Sequence, residues 1–530
     1  MIWFFMARHE TKISPQPMRN QRMTARQCPP QASPRYDVAG KAHLMPAGRA
    51  GYNLARFMRD FVLVHVNGVS HDIGGALAFQ TLSRFLRYDQ RAMGTKIVCE
   101  EGDCGACTVL VGRREGDRLR YRPINSCIHF LFQLDAAHVV TVEGLAGDGE
   151  LTPVQDSMVG CHAAQCGYCT PGFVMALAGM FEEGSRDARE ALTGNLCRCT
   201  GYESIIRAAE CVAEQPRVDS IHPPGPILKR IRSVEREPVL IDSLDGFPHG
   251  RFFRPTRLDD AIAFKAENPK TVIVQGATDF GVWRNKREFQ PSAVLSLDGV
   301  DGLGDVTFDD GMLVVGGRAS LARFEAVVRD RLPELARIMD RFGSPQIKNA
   351  GTLAGNIANA SPIADTLPFL FVMGANLELT GAAGTRVVPI GSFYKGYKSL
   401  DLGADEIITR ILIPLPSEGE TIRLYKISKR SHLDISSFTA AMLMRREGGR
   451  IDAMRVAYGG VAPVVMRLPR TEEFLAGRPI ALETFVRAGE IARGEISPIS
   501  DVRGTKEYRL QLAANLMQKF YYDVCAPRGA

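Results

Sequence analysis

The stretch KIVCEEGDCGACTVL, residues 96–110, places three cysteines within nine residues, with glycines and acids packed between them. Cys99, Cys104 and Cys107 stand in a C-x4-C-x2-C spacing, and Cys127 follows after nineteen intervening residues. A second set lies further on: Cys166-x2-Cys169, then Cys197-x-Cys199 after a gap of 27 residues. Eight of the twelve cysteines therefore fall into two tight groups. Disulfides, zinc, an iron–sulfur cluster and chance can each be weighed against that spacing.

The rest of the chain narrows the choice. A length of 530 residues is too long for one core and suggests about three or four domains. No apolar run approaches the roughly 18 residues that span a bilayer, and MIWFF is too short for a secretory signal. A cytoplasmic protein with reduced thiols is expected, which disfavours disulfides. The net charge of +6 is unevenly spread. Residues 1–57 hold nine Lys/Arg and two Asp/Glu, which leaves the remaining body at −1. That Pro- and Arg-rich leader reads as disordered. It can mimic a transit peptide, but a start at Met58, where strand patterning begins, is the simpler expectation.

Patterning outward from the cysteine loop gives the domains. FVLVHVNG (61–68) alternates and ends in Asn-Gly, a hairpin signal. TLSRFLRY (81–88) reads as a short helix and CTVLVG (107–112) as a strand, so 58–138 forms a β-rich domain. Residues 139–215 read as helical. Thr152-Pro153-Val154-Gln155 is a capping box, TPGFVMALAGMF (170–181) a helix, and Thr200 the cap of a helix through IIRAAECV. The Pro-rich, charged stretch 216–247 reads as a linker. Strands and helices alternate through 248–418, with strands at TVIV, AVLSL and MLVVGG and helices at LARFEAVV and PELARIMD. A last segment, 419–530, carries strands at RLYKIS and RVAYGG and ends in helices. The expected class is multidomain α+β.

The first cysteine set has the spacing of plant-type [2Fe–2S] sites. Four thiolates must converge from one short loop, so Gly102 and Gly105 are needed where the backbone approaches closely. Zinc sites more often use C-x2-C twice, and zinc remains the alternative, with unliganded thiols behind it. The second set alone could hold zinc or iron. Its cysteines precede two helices whose N-termini would face one anionic cluster. Cys28 and Cys525 lie outside both sets. Cys211 reads as a buried small hydrophobe on an amphipathic helix, and Cys161 as a core cysteine on a helix.

CEEGDCGACTV, NSC, QCGYCTPGFVMAL and NLCRCTGY, in that order, resemble the two-cluster N-terminal half of the xanthine dehydrogenase family of molybdenum hydroxylases. The resemblance covers nearly all of 58–530. It implies Cys99, Cys104, Cys107 and Cys127 on one [2Fe–2S] cluster, in a ferredoxin-like β-grasp domain. It implies Cys166, Cys169, Cys197 and Cys199 on the other, in a helical-bundle domain.

No G-x-G-x-x-G follows a strand, so a Rossmann dinucleotide site is not supported. Two runs of small residues remain, VIVQGATDFG (272–281) and GTLAGNIANASPIAD (351–365), whose free amides could cradle a pyrophosphate. With YKISKRSHLDIS (425–436) they resemble the family's FAD domain, of vanillyl-alcohol-oxidase type. The resemblance implies FAD contacts from Ile273, Val274, Gln275, Gly276, Ala277, Thr278, Asp279 and Phe280. It implies a second cradle from Thr352, Gly355, Asn356, Asn359 and Asp365, with Phe342 and Ile347 packed near the flavin and Lys426 by its ring. Where Ala277 stands, the family often has Gly or Asn. Residues 419–530 resemble its small C-terminal flavoprotein domain.

These cofactors handle electrons; hydroxylating a purine needs molybdenum, which the family carries on further large domains. The chain is therefore expected to be a small subunit, with no catalytic residue for purine. A large molybdopterin subunit would be its partner, in an α2β2 heterotetramer. Electrons would run through two clusters to FAD and then NAD. Alternatives are the equivalent subunit of an aldehyde or N-heterocycle hydroxylase, or a free-standing NADH:acceptor reductase. A zinc-stapled nucleic-acid module is disfavoured by the neutral body.

Overall fold

The computed structural model describes residues 58–146, 149–243 and 250–525. The leader 1–57 and Cys28 lie outside the described residues.

Alternating apolar residues in FVLVHV form strand β1 (Phe61–Val66), and Asn67-Gly68 turns it into β2 (Val69–Gly74). Asn67 and Gly68 both take positive φ, 48° and 85°, as a two-residue hairpin requires. β3 (Thr108–Glu115), β4 (Arg118–Asn125) and β5 (Ala137–Val140) complete a five-stranded sheet ordered β2-β1-β5-β3-β4. β1 and β5 pair in parallel, the arrangement of a ferredoxin-like β-grasp. The expected helix over TLSRFLRY is shorter than its pattern: Leu82–Arg84 is α-helical and Phe85–Asp89 widens to a π-turn. Phe85 and Leu86 stay buried.

His138 on β5 is buried beneath this sheet. The Gly68 N–H donates to its Nε2 (3.0 Å), so the ring proton sits on Nδ1, against the Tyr121 hydroxyl at 2.7 Å. Burial, then the neighbouring His222 and His65, push its pKa down from 6.5 to about 3. The fold thus refuses a proton that the unfolded chain accepts. Stability is expected to drop as pH falls below about 6.5, by about 1.4 kcal/mol per unit, until pH nears the folded value. Urea titrations at pH 7.5 and 5.5 should show this loss, and His138→Gln should remove that share of it.

The helical domain holds α1 (Pro153–Gly160), α2 (Thr170–Glu182) and α3 (Glu203–Cys211). Gln155 Oε1 accepts from the Thr152 N–H at 2.9 Å, as a capping box does. Thr200 does not cap α3. Tyr202 holds the N-cap position in a left-handed conformation, and the Thr200 hydroxyl turns to a sulfur instead. α2 is apolar all round because it is enclosed: Phe173 to Met180 are all buried.

Residues 218–242 of the stretch expected as a linker carry two helices and a strand. Two prolines open α4 (Pro224–Val234), where a missing N–H is harmless, and its Ile227, Leu228, Ile231 and Val234 are buried. Arg59 clamps it to the β-grasp sheet, bonding both Asp135 oxygens (2.9 and 2.8 Å) and the Val234 carbonyl (3.0 Å).

Beyond it, β6 (Val239–Asp242), β7 (Arg251–Arg254), β8 (Val272–Ile273) and β9 (Ala293–Leu295) form a sheet ordered β6-β7-β9-β8. A second sheet is antiparallel: β10 (Val306–Asp309), β11 (Met312–Gly316), β12 (Asn376–Gly381), β13 (Gly384–Pro389) and β14 (Ile407–Pro414), ordered β10-β11-β14-β12-β13. Three helices matter for the site: α5 (Phe280–Arg287), α6 (Pro345–Ala350) and α7 (Leu353–Asn359). The C-terminal sheet, β15 (Glu420–Ile427) to β18 (Met466–Arg467), is covered by α8 (Leu482–Glu495) and α9 (Lys506–Val524). Phe485 and Phe520 meet between those helices at 5.9 Å. The molecule is a mixed α+β, multidomain chain. Among the described residues no helix is long and apolar enough to cross a membrane.

Candidate functional site

The loop carrying the first set reverses at Glu100, Gly102 and Gly105, all with positive φ. At Gly105 (68°) the requirement is also steric: a Cβ would lie 2.3 Å from the Gly194 carbonyl oxygen. Cys107 and Cys127 are buried, Cys99 and Cys104 half-buried, and none is in a disulfide. The Cys99 thiol interacts with those of Cys104 and Cys127, and the Cys107 thiol with that of Cys127. Those contacts hold Cys99 and Cys107 below the usual thiol range and push Cys104 and Cys127 above it. Four sulfurs thus share one small space, the donor set that an iron–sulfur cluster needs.

The second set is equally gathered. Cys166 and Cys199 sulfurs lie 3.6 Å apart, and the Cys169 thiol interacts with that of Cys197. Cys197 Sγ accepts from the Thr200 hydroxyl (3.2 Å) and the Thr200 and Cys199 amides (3.4 Å each). Burial opposes charge on Cys197, but the bonds from Thr200 and Cys199, with Cys169, together outweigh it and its pKa is lowered. Cys169, lacking them, is pushed up to about 12 by burial and by Cys197. Cys166 and Cys199 are exposed.

The two sets back onto one another. The Leu196 N–H donates to the Cys104 carbonyl (3.0 Å), and Asn195 Nδ2 to the Gly105 carbonyl (3.1 Å). The Cys161 and Cys211 readings need correction. Cys211 is exposed and Cys161 only half-buried, because both sit where α3 and α1 run out of cover.

The two small-residue runs are brought together. Gly276 packs backbone to backbone on the other loop, where a Cβ would lie 2.0 Å from the Ala350 oxygen. Ala277 takes φ of 52°. Asp279 accepts from Asn359 Nδ2 at 3.0 Å, and burial raises its pKa against the pull of Lys398. Thr352 caps α7 through the Gly355 amide (2.9 Å), and Asn356 accepts from the Thr366 hydroxyl. Gln275, Gly276 and Thr352 also line a cleft of about 890 Å³ whose walls carry charges of both signs, among them Arg113, Arg122 and Arg318 and Glu183, Asp298 and Glu325.

Asp365 and Lys426 form a separate buried node. Lys426 Nζ donates to Asp365 (2.6 Å), to the Asp434 carbonyl and to Ser436 Oγ (2.9 Å each). The side chains of other expected contacts pack into the protein. The Ile273, Val274 and Phe280 side chains are in the apolar core, so only their backbones could face a cofactor; Phe280 meets Phe130 at 5.2 Å. Phe342 packs on the core of the flavin-type domain. Ile347 packs on Cys107, Cys127 and Ile128, at the first cysteine set.

Sequence reading missed what joins the sites. Asn285 on α5 donates to the carbonyls of Glu100 (2.9 Å) and Cys127 (2.8 Å). Gln346 on α6 bonds Thr108 (3.2 Å) and Asn195 (2.9 Å). Lys398 donates to both oxygens of Asn359. These partners are more than 35 residues apart in sequence, so no local spacing marks them. Asn285→Ala is expected to cost about 2 kcal/mol in urea denaturation, from two lost hydrogen bonds. If the first set holds metal, the change should also speed its loss and leave the second set unchanged.

Two thiol cages abutting a flavin-type cradle define an iron–sulfur flavoprotein. Residues 141–210 match the model of a [2Fe-2S] binding domain. Residues 247–416 match the FAD binding domain in molybdopterin dehydrogenase, and 423–524 the CO dehydrogenase flavoprotein C-terminal domain. The chain belongs to the molybdenum hydroxylase family, of which it carries the iron–sulfur and flavin part. It is 27% identical to xanthine dehydrogenase from Oryza sativa subsp. japonica over 87% of this chain and 39% of that protein. It is 28% identical to aldehyde oxidase 1 from Bos taurus, over 83% and 37%. The chain thus spans about two fifths of the length of these relatives. Quinoline 2-oxidoreductase from Pseudomonas putida 86 aligns with a TM-score of 0.48 and 28% identity, over 51% of this chain and 94% of that one.

Proposed function

We propose that this chain is the electron-transfer subunit of an NAD-reducing xanthine dehydrogenase. The eight set cysteines would hold two [2Fe–2S] clusters, and the 272–281 and 351–365 loops, with Asp365 and Lys426, would hold FAD. A large molybdopterin partner, in a cytoplasmic α2β2 assembly, would oxidise hypoxanthine and xanthine to urate. The domains would be 58–138, 139–215, 248–418 and 419–530. When bound, the clusters would pass single electrons and FAD would pair them for NAD.

One observation carries this reading: the two cages and the cradle form an unbroken series. The exposed Cys166 and Cys199 end of the second set faces outward, where a partner could approach. Cys104 and Gly105 join that set to the first. Asn285 and Ile347 join the first set to α5 and α6, which lead directly into the two cradle loops. The protein groups supply order here: they hold sulfurs in place, shield Cys107 and Cys127 from water and supply amides to Cys197.

Identity to an aldehyde oxidase matches that to the xanthine dehydrogenases, so a partner acting on aldehydes or N-heterocycles is the second reading. Co-purification from the native source followed by assay separates them. Xanthine-dependent NAD reduction supports the first. NAD reduction with aldehydes or N-heterocycles alone supports the second. Full NADH:dye activity in a preparation without a molybdenum partner would favour a free-standing reductase.

A further inference from the structure

We propose that Cys161 and Cys211 form a redox-active dithiol whose oxidation closes a covalent ring around the second cysteine set. Their sulfurs lie 4.0 Å apart, and neither belongs to either set. Cys161 ends α1 and Cys211 ends α3. The two helices are already tied one turn earlier, where the Ser157 hydroxyl donates to the Ala208 carbonyl at 2.7 Å. Side-chain rotation can therefore bring the sulfurs to the roughly 2.05 Å of a disulfide while that bond holds the backbones in place. Cys211 is exposed, so a small oxidant reaches it from solvent.

Position in the chain gives the bond its consequence. Cys166, Cys169, Cys197 and Cys199 all fall between residues 161 and 211. A bond between the ends encloses the whole second set. Opening that set would then have to proceed within a closed loop, which restricts the open states available.

The oxidant is hydrogen peroxide. Cys211 attacks one peroxide oxygen, the O–O bond breaks, and one water leaves with the formation of a sulfenic acid. Cys161 then attacks that sulfur, the S–O bond breaks, and a second water leaves. Two thiols are oxidised by two electrons to one disulfide, and one peroxide is reduced to two waters.

The purified full chain, with its metal as isolated, would be treated with graded peroxide, alkylated and mapped by peptide mass. A Cys161–Cys211 cross-link is expected at peroxide levels that leave the visible spectrum unchanged. Dithiothreitol should reverse it, and Cys161→Ser and Cys211→Ser should each abolish it. Release of bound metal to a chelator, whether iron or zinc, should be about tenfold slower in the oxidised wild type than in the reduced form. The two variants should show no such change. Absence of the cross-link before bleaching, or a cross-link that leaves metal release unchanged, would overturn the proposal. Neither result depends on which metal or partner the chain carries.

Discussion

Replacing Asp365 with alanine should destabilise the protein by about 3–5 kcal/mol, because it strands a buried ammonium. The Asp365 and Lys426 side chains are 6% and 2% exposed, so water cannot take over the lost partner. Ser436 and the Asp434 carbonyl would remain on Lys426, but neither carries a full negative charge. Burial already pushes the Asp365 carboxyl up, and Lys426 counteracts it, so each ion depends on the other. Urea denaturation of the full chain measures the effect. The double variant Asp365→Ala/Lys426→Met should recover much of the loss, since it removes the unpaired charge. A single variant within about 1 kcal/mol of wild type would mean that the pair does not hold the flavin-type domain to the C-terminal sheet.

Gly105→Ala should be the second large effect. The residue sits at φ of 68°, where a side chain is strained by about 1–2 kcal/mol. Its Cβ would also press within 2.3 Å of the Gly194 oxygen and 2.6 Å of Asn195 Nδ2. Backbone on the Gly194 side cannot swing away as a side chain would. A total loss of about 2–4 kcal/mol is expected. The metal outcome is more specific: the loop carrying Cys99, Cys104 and Cys107 should open, and with both sets loaded as proposed the protein should retain about half its metal. Metal analysis and calorimetry check both. Full metal content with wild-type stability would contradict the packing of the two sets against each other.

Much of this was legible because it is local. The C-x4-C-x2-C loop, the Asn67-Gly68 hairpin, the Thr152 capping box and the α2 pattern each lie within a few residues. What escaped depends on contacts between distant segments. Thr200 has the spacing of an N-cap, yet its hydroxyl serves the Cys197 sulfur, which competes for it. Proline marked 216–247 as a linker, but proline in a first helical turn begins α4, whose apolar face is buried. Ile347, expected near the flavin, also packs on the first cysteine set, a contact between segments more than 200 residues apart that no local pattern marks. The Asn285 strut joins residues 158 and 185 positions apart, beyond any periodicity.

The most direct test is quantitative iron, zinc and flavin analysis of the purified full chain, with low-temperature paramagnetic resonance after reduction. Two four-cysteine cages and one flavin predict about four irons per flavin and two distinguishable cluster signals. Zinc in place of iron, or iron for one cluster only, would contradict the two-cluster assignment.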